Sequence, residues 1–324
     1  MLSEGSGGST EPALSARDLP PIRSWLYAPG NNAKLLDRVF GGGADAVILD
    51  LEDAVPSGPE KLRAREMVAE TIRARAGQVG GPRLWVRVNE PMSGLIEADI
   101  RAVAQPGLDG LRLPKMESVR AVRAVHRWLA NAEIERGLTL GSIPLVCTVE
   151  SAAGVWCAAD LIEAHPRVVG LAFGAADFVR DIGVRVESED GLETLYARSR
   201  LVLASRVAGV QPPIDSVYTQ LSDDQGLERT TRQGRALGFF GRSAIHPRQV
   251  PIINNVYTPT SEEVARAREV VEAAQLAGDR GSGAIQLANG DFVDVAVVRR
   301  AQDVLRIADL LERGDNDPKA GGAV

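Results

Sequence analysis

The chain has 324 residues, of which 44% are hydrophobic, and a formal net charge of -6. It can bury a large core, and because one-domain α/β barrels reach about 250 residues, its length does not require two domains. The acidic balance argues against binding to a nucleic-acid backbone, which usually needs a basic face.

The two ends of the chain predict flexible tails at residues 1–21 and 314–324. The first tail lacks the apolar core of a secretory signal and is too acidic for a transit peptide. No uninterrupted apolar run approaches the roughly 20 residues that cross a bilayer, so we expect a soluble protein. Cys147 and Cys157 form neither a CxxC pair nor a disulfide framework, which favours the reducing cytoplasm.

Short apolar runs rich in β-branched residues predict eight strands, at residues 24–29, 45–51, 83–89, 110–114, 143–150, 168–174, 214–220 and 241–247. Helical patterns lie at residues 34–40, 59–76, 118–135, 155–164, 193–208 and 225–237. Alternation of strand and helix indicates parallel strands, and continuous apolar strands indicate burial on both faces. The predicted fold is therefore α/β, a (β/α)₈ TIM barrel over residues 22–258.

An open doubly wound sheet is the competing architecture, and it normally carries a glycine-rich phosphate loop after the first strand. Here that loop reads PGNNAK, starting at Pro29. The glycines at 41–43 follow a helix and precede a strand, as in a helix-ending turn. We therefore predict no dinucleotide site.

A hairpin-plus-helix extension is predicted at residues 259–313. Residues 260–263, TSEE, form a capping-box pattern that opens a helix ending at Gly278. Asn289-Gly290 between alternating apolar residues predicts a type I′ hairpin, and an amphipathic helix follows at 296–311. A barrel closes without these elements, so they pack on its rim or reach a neighbouring subunit.

Carboxylates follow three of the apolar strands: Glu150, Asp177, and the group Asp50, Glu52 and Asp53. In a (β/α)₈ barrel the carboxyl ends of the strands meet at one face, where the chemistry occurs. Clustered buried carboxylates are costly unless they are paired or bind a cation. Oxygen ligands without a Cys or His set favour Mg²⁺ first and Mn²⁺ second. The alternative is that each acid caps a helix or pairs with an arginine or lysine.

Arg87 is the basic residue that sits among these strands. In LWVRVN it shares a face with Trp85 and Asn89, which places its guanidinium among apolar neighbours. An arginine in such a place usually has an anionic partner. That partner is either a structural carboxylate or a substrate.

Seven motifs, in order and spacing, resemble the citrate lyase β-subunit-like family of the HpcH/HpaI aldolase superfamily, which includes malyl-CoA and citramalyl-CoA lyases. They are RSWLYAPGNNAK, GADAVILDLEDAVP, VRVN, LRLPKMES, TVESAAG, FGAADFVRDIG and GRSAIHPRQV. The resemblance covers about residues 22–310. Residues 196–218 and the terminal hairpin are most similar to citramalyl-CoA lyases.

The resemblance implies that Glu150 and Asp177 hold Mg²⁺ in a (β/α)₈ barrel, with Mn²⁺ as a possible substitute. Glu52 and Asp53 would lie near the water ligands of the metal. Arg87 matches the arginine that steadies the carboxylate or carbonyl oxygen of the substrate.

Further positions match family contacts with substrate or CoA, namely Tyr27, Lys34 and Ile245-His246. Arg38 stands where a lysine that contacts CoA is common. Asp294 matches a catalytic aspartate that family members insert into the site of a neighbouring subunit, and their usual assembly is a trimer or a multiple of it. The alternatives are a helix-capping Asp294, a solvated Lys34, a turn histidine at 246 and a core tyrosine at 27.

Two positions depart from the family pattern. Ala176 replaces the acidic residue that often precedes the metal-binding aspartate, and Val295-Ala296 lacks the usual proline. Residues that orient the ligands of a metal can change activity 10- to 100-fold. These departures therefore leave the substrate open.

The implied reaction is reversible, Claisen-type cleavage of a 3-hydroxyacyl-CoA into acetyl-CoA and a 2-oxo acid. A malyl-CoA-type thioesterase would use the same metal. The C-terminal extension argues against an aldolase for free hydroxy-oxo acids, because the simpler aldolases of the superfamily generally lack the hairpin. A non-catalytic subunit of a lyase complex is the alternative from another class.

Overall fold

The computed structural model describes residues 20–186, 188–279, 285–286 and 292–316. Seven parallel strands form one sheet in the order β6-β5-β4-β3-β2-β1-β7. They are β1 (Ser24–Pro29), β2 (Ala46–Asp50), β3 (Arg83–Arg87), β4 (Gly110–Leu113), β5 (Leu145–Val149), β6 (Val168–Phe173) and β7 (Arg242–Ala244). Of the predicted tails at 1–21 and 314–324, residues 1–19 and 317–324 lie outside the described residues.

The ring closes between β6 and β7 through residues 214 and 215. Ala172 forms a parallel bridge with Ile214, and Asp215 forms one with Arg242. Because β7 also pairs with β1, the ring has eight strand positions, which confirms the TIM-barrel class. The strand predicted at 214–220 is wrong in length, since only this two-residue bridge forms. Pro213, which has no N–H to donate, directly precedes it.

Helices cover the outside of the sheet. They are α1 (Ala33–Arg38), α2 (Pro59–Arg75), α3 (Ile96–Val103), α4 (Val119–Arg136), α5 (Ala152–Trp156), α6 (Ala158–Glu163), α7 (Ala175–Asp181), α8 (Leu192–Ala208), α9 (Asp224–Leu237), α10 (Gln249–Tyr257), α11 (Ser261–Asp279) and α12 (Val295–Asn316). The helix predicted at 155–164 is two helices that meet at Cys157. Within the described ranges, no helix has the length and apolarity that a membrane crossing requires.

The inside of the barrel is packed with apolar side chains at its amino-terminal end. Trp25 and Trp85 meet edge to face with ring centres 5.1 Å apart. A Cβ atom on Gly110 would lie 2.4 Å from the Trp85 ring, so only glycine leaves room for this indole. The two tryptophans fill the interior of the barrel at the amino-terminal ends of its strands. Polar groups that point inward therefore collect at the opposite end.

The C-terminal extension begins with the predicted capping box. The Thr260 N–H donates to Glu263 Oε2 (2.8 Å), and the Glu263 N–H donates to Thr260 Oγ1 (3.1 Å). An ion pair between Arg235 and Glu263 links α11 to the barrel helix α9, with 2.8 Å between nitrogen and oxygen.

The predicted hairpin is present as β8 (Ile285–Gln286) paired antiparallel with β9 (Phe292–Val293). Its predicted turn, Asn289-Gly290, lies outside the described residues. The last helix runs to Asn316, beyond the predicted end at 311. Apolar residues join α11 to α12, among them Ala267, Val270, Val293 and Ala301.

Candidate active site

Glu150 lies directly after β5 and is buried, with 7% of its surface exposed. Its Oε1 accepts a hydrogen bond from the Lys115 N–H (2.6 Å). Its Oε2 lies against Gly174, where an added Cβ would stand 2.5 Å away. The strand end at 174 therefore has no side chain because the Glu150 carboxylate occupies that space.

The surroundings of Glu150 disfavour its negative charge in the absence of a cation. Burial raises the pKa of Glu150 to about 7, and the charges of Glu52 and Asp177 add to this effect. The Lys115 N–H and the charge of Arg87 oppose it. Asp177 therefore lies close enough to Glu150 for its charge to act on that carboxyl. A bound dication there would favour the ionised form.

Asp177 lies in the first turn of α7, after the end of β6. Its Oδ1 is 2.7 Å from Nη2 of Arg180, whose side chain is 75% exposed. Such surface pairs contribute about 1 kcal/mol or less, so a dication can displace the guanidinium. The alternative of a simple ion pair is thus seen at Asp177, but it is a weak one.

Arg87 has a structural carboxylate as its principal partner. Its Nε and Nη2 each donate to Asp50 at 2.7 Å. The oxygens of Asp50 also accept the N–H groups of Glu52 (2.9 Å) and Ala54 (3.0 Å). Despite burial, these contacts raise the pKa of Arg87 well above its usual value. The guanidinium is therefore fixed in place and permanently charged.

The remaining nitrogen of Arg87 points toward the exposed side of the site. Nη1 is 2.9 Å from Oε2 of Glu52 and 3.4 Å from Oδ2 of Asp53, whose side chain is 55% exposed. The Arg87 guanidinium carbon is 5.0 Å from the centre of the Tyr27 ring. A substrate oxygen that replaced Asp53 would meet a guanidinium already oriented by Asp50.

Lys115 is a site residue that the sequence analysis missed. Its ammonium is 2.7 Å from Oε1 of Glu52 and 3.7 Å from carboxylate oxygens of Asp53 and Glu90. Its φ is 51°, the one positive φ outside glycine in the described part of the chain. This conformation costs about 1–2 kcal/mol for a residue with a Cβ. No spacing or composition signal marks a lysine for it.

Two further buried cations support the site from beneath. Nζ of Lys61 donates to the carbonyl oxygens of Leu51 (2.7 Å) and Glu52 (2.6 Å), which fixes the backbone after β2. Arg112, in register with Arg87 on the neighbouring strand, donates from Nε to Thr148 Oγ1 (3.0 Å). Burial lowers the pKa of both cations.

The residues expected at substrate and CoA lie on the same face, beside the acids. Because β1 pairs with β7, the segments after these strands are neighbours. Lys34 and Arg38 lie exposed on α1, and Ile245-His246 is exposed after β7. Tyr27 is half-buried inside β1. The fold brings these residues together without testing what they bind.

Asp294 is not joined to the acids in the described residues. Its Oδ1 accepts the Val297 N–H (2.9 Å), so it caps α12. It is exposed. The helix-capping alternative is therefore observed, and the catalytic role in a neighbouring subunit stays a prediction.

In the described ranges, His, Cys, Asp and Glu side chains form no group of three or more that could hold a metal ion. Two carboxylates, Glu150 and Asp177, fit the way Mg²⁺ binds, because Mg²⁺ keeps several waters and takes one or two carboxylates. The raised pKa of Glu150 agrees with a site that is completed by a cation.

The family model for HpcH/HpaI aldolase/citrate lyase matches residues 23–247. The chain belongs to this family. Citrate lyase subunit beta of Leuconostoc mesenteroides subsp. cremoris is 37% identical over 295 residues, which cover 91% of this chain and 96% of that protein. L-malyl-CoA/beta-methylmalyl-CoA lyase of Cereibacter sphaeroides is 31% identical over 310 residues, covering 90% of this chain and 96% of that protein.

Among solved structures, protein CitE from Mycobacterium tuberculosis, in complex with magnesium, acetoacetate and coenzyme A, has a TM-score of 0.70 and 29% identity. The match covers 90% of this chain and 99% of that one. The full-length match to lyases makes this family member an enzyme of the lyase class. The suspected membership in the citrate lyase β-like group is confirmed.

Proposed function

We propose that the protein is a Mg²⁺-dependent carbon–carbon lyase that cleaves a 3-hydroxyacyl-CoA of the citramalyl-CoA or malyl-CoA type into acetyl-CoA and a 2-oxo acid. The observation that carries the proposal is the buried Glu150 carboxyl at the end of β5, near the charge of Asp177 and near an Arg87 that Asp50 orients. The malyl-CoA lyase relative and the CitE complex with magnesium and coenzyme A support the substrate class.

In this proposal Glu150 and Asp177 hold Mg²⁺ or, as a substitute, Mn²⁺. The metal supplies Lewis-acid polarisation of the substrate oxygens. Arg87 donates from Nη1 to the oxygen on which negative charge develops, and because Asp50 already fixes the guanidinium, little reorganisation is needed. Glu52 and Asp53, which both contact Nη1 of Arg87, would lie near the water ligands of the metal.

The proton is moved by Asp294 of a second copy of the chain. In cleavage the carboxylic acid of Asp294 donates a proton to the carbon of the departing acetyl group, and in condensation the carboxylate removes it. Tyr27 borders the oxo acid. Lys34 and Arg38 attract the phosphates of CoA, and Ile245-His246 lies against the same ligand.

A trimer, or a multiple of it, would complete this site. Apolar side chains along α8 support association, because a stripe of them is exposed; its members are Leu192 (65%), Leu195 (44%), Tyr196 (65%), Leu203 (66%) and Val207 (82%). Apolar stripes of this kind are typical of surfaces that are covered by another protein.

The function is tested by incubating the protein and Mg²⁺ with malyl-CoA, citramalyl-CoA and β-methylmalyl-CoA, and identifying the products by mass spectrometry. Formation of a shorter acyl-CoA and a 2-oxo acid supports the lyase. Free CoA with an intact hydroxy acid identifies a thioesterase. In a parallel incubation with free hydroxy-oxo acids, cleavage of these acids but not of the CoA esters identifies an aldolase. Tight binding without turnover identifies a non-catalytic subunit. Glu150→Gln and chelation of the metal are the controls.

A further inference from the structure

Lys115 contacts two carboxylates of the site, Glu150 and Glu52, through its main chain and its side chain respectively. Its main-chain N–H binds Oε1 of Glu150 at 2.6 Å, and its side-chain ammonium binds Oε1 of Glu52 at 2.7 Å. Its backbone is left-handed at this position, with φ at 51°. A costly conformation persists at a site when the surrounding contacts over-determine it.

The ammonium of Lys115 lies near three carboxylates other than the proposed metal ligands Glu150 and Asp177. They are those of Glu52, Asp53 and Glu90, at 2.7, 3.7 and 3.7 Å. Glu52 lies near enough to Glu150 to raise the pKa of that carboxyl. A hard cation gains affinity from every carboxylate that it can reach. Both Glu52 and Asp53 also contact Nη1 of Arg87. Without the ammonium this one guanidinium nitrogen would remain between them, and they would compete more strongly to become ligands.

We propose that Lys115 is a positioning residue that restricts the dication to Glu150 and Asp177. Its N–H aims the Glu150 carboxylate, and its ammonium withholds Glu52 and Asp53 from the metal. Coordination positions then stay occupied by exchangeable water, which the substrate replaces. This inference rests on the proposed function for its effect on turnover, but its effect on metal binding stands alone.

Lys115→Gly is the decisive variant, because glycine keeps the left-handed backbone and the N–H while removing the ammonium. We expect Mg²⁺, measured by isothermal titration calorimetry on the full chain, to bind about three- to tenfold more tightly once the positive charge is gone. Turnover should fall about 10- to 100-fold. A damaged site would lose metal and turnover together, whereas this change moves them in opposite directions.

The coordination itself is measured with Mn²⁺ as the probe. Water proton relaxation should show fewer exchangeable waters on Mn²⁺ in Lys115→Gly than in the parent. Lys115→Arg keeps the charge and should retain the parental hydration number and Mn²⁺ affinity within about twofold. Arg232→Ala, which removes a cation paired with Glu228 on the exposed face of α9 at 2.7 Å, is the matched control and should change nothing.

Weaker Mg²⁺ binding in Lys115→Gly, or an unchanged hydration number, would overturn the proposal. So would a parent that binds no Mg²⁺. If the parent binds Mg²⁺ but cleaves no acyl-CoA, the proposed function fails while the calorimetric and relaxation experiments still decide the role of Lys115.

Discussion

Replacing Gly174 by alanine should displace the Glu150 side chain from its position beside residue 174. The new Cβ would lie 2.5 Å from Oε2 and 2.6 Å from Cβ of Glu150. The backbone is not the obstacle, since φ at Gly174 is -110°, which alanine adopts without strain. The effect is therefore steric, and overpacking of this kind costs about 1–3 kcal/mol. If Glu150 moves to relieve it, Mg²⁺ affinity should fall roughly five- to 150-fold.

Gly170, in the strand β6 that precedes Gly174, offers a matched control. A Cβ on Gly170 would lie 3.6 Å from Cβ of Gln211, an ordinary contact, so Gly170→Ala should bind Mg²⁺ like the parent. Calorimetric titration with Mg²⁺ measures both variants, and thermal unfolding checks that both are folded. Parental Mg²⁺ affinity in Gly174→Ala would refute the position of Glu150 on which the metal site depends.

Four further predictions concern charge. Asp294→Ala should keep parental Mg²⁺ affinity and lose most turnover, and a parental cleavage rate would contradict its proposed role. Burial raises the pKa of Glu150 in the metal-free protein from 4.5 to about 7, so protons compete with Mg²⁺ below about pH 7. Calorimetric titrations between about pH 6 and 8 should show Mg²⁺ affinity rising with pH and then levelling. Between pH 4.5 and about pH 7, Glu150 keeps its proton in the folded metal-free protein but loses it in the unfolded chain. The free energy of unfolding of the metal-free protein should therefore decrease as pH rises through this interval. Asp50→Asn removes the principal anion of the buried Arg87, whose remaining carboxylate contacts are those with Glu52 and Asp53. It should lower the free energy of unfolding by about 3 kcal/mol in denaturant titrations, an effect that Arg232→Ala should lack.

The barrel could be predicted from the sequence because alternating apolar strands and amphipathic helices are strong local signals. The bridge at Ile214 and Asp215 could not, since its length is decided by the strands on either side. Helices α3, α7 and α10 were not predicted; each has nine residues or fewer, and segments of this length give a weak helical period, which was recognised as a separate helix only at α1.

The sequence predicted only those features of the site that follow from the direction of the strands. Glu150 and Asp177 were placed at one face because parallel strands end there together. The sequence left the partner of Arg87 open, and the fold assigns it to Asp50 at register-paired positions of β2 and β3. Lys115 was missed because its role follows from a backbone dihedral, which no residue pattern encodes.

The tryptophan packing at the base of the barrel has a kinetic consequence. Because Trp25 and Trp85 pack edge to face across the far end, the two products of the proposed reaction would leave by the strand-end face at which the substrate enters. The oxo acid would rest deepest, against Glu150, while CoA would lie outermost, across the exposed Lys34 and Arg38. Acyl-CoA would therefore dissociate before the oxo acid, and product-inhibition patterns would show that ordered sequence.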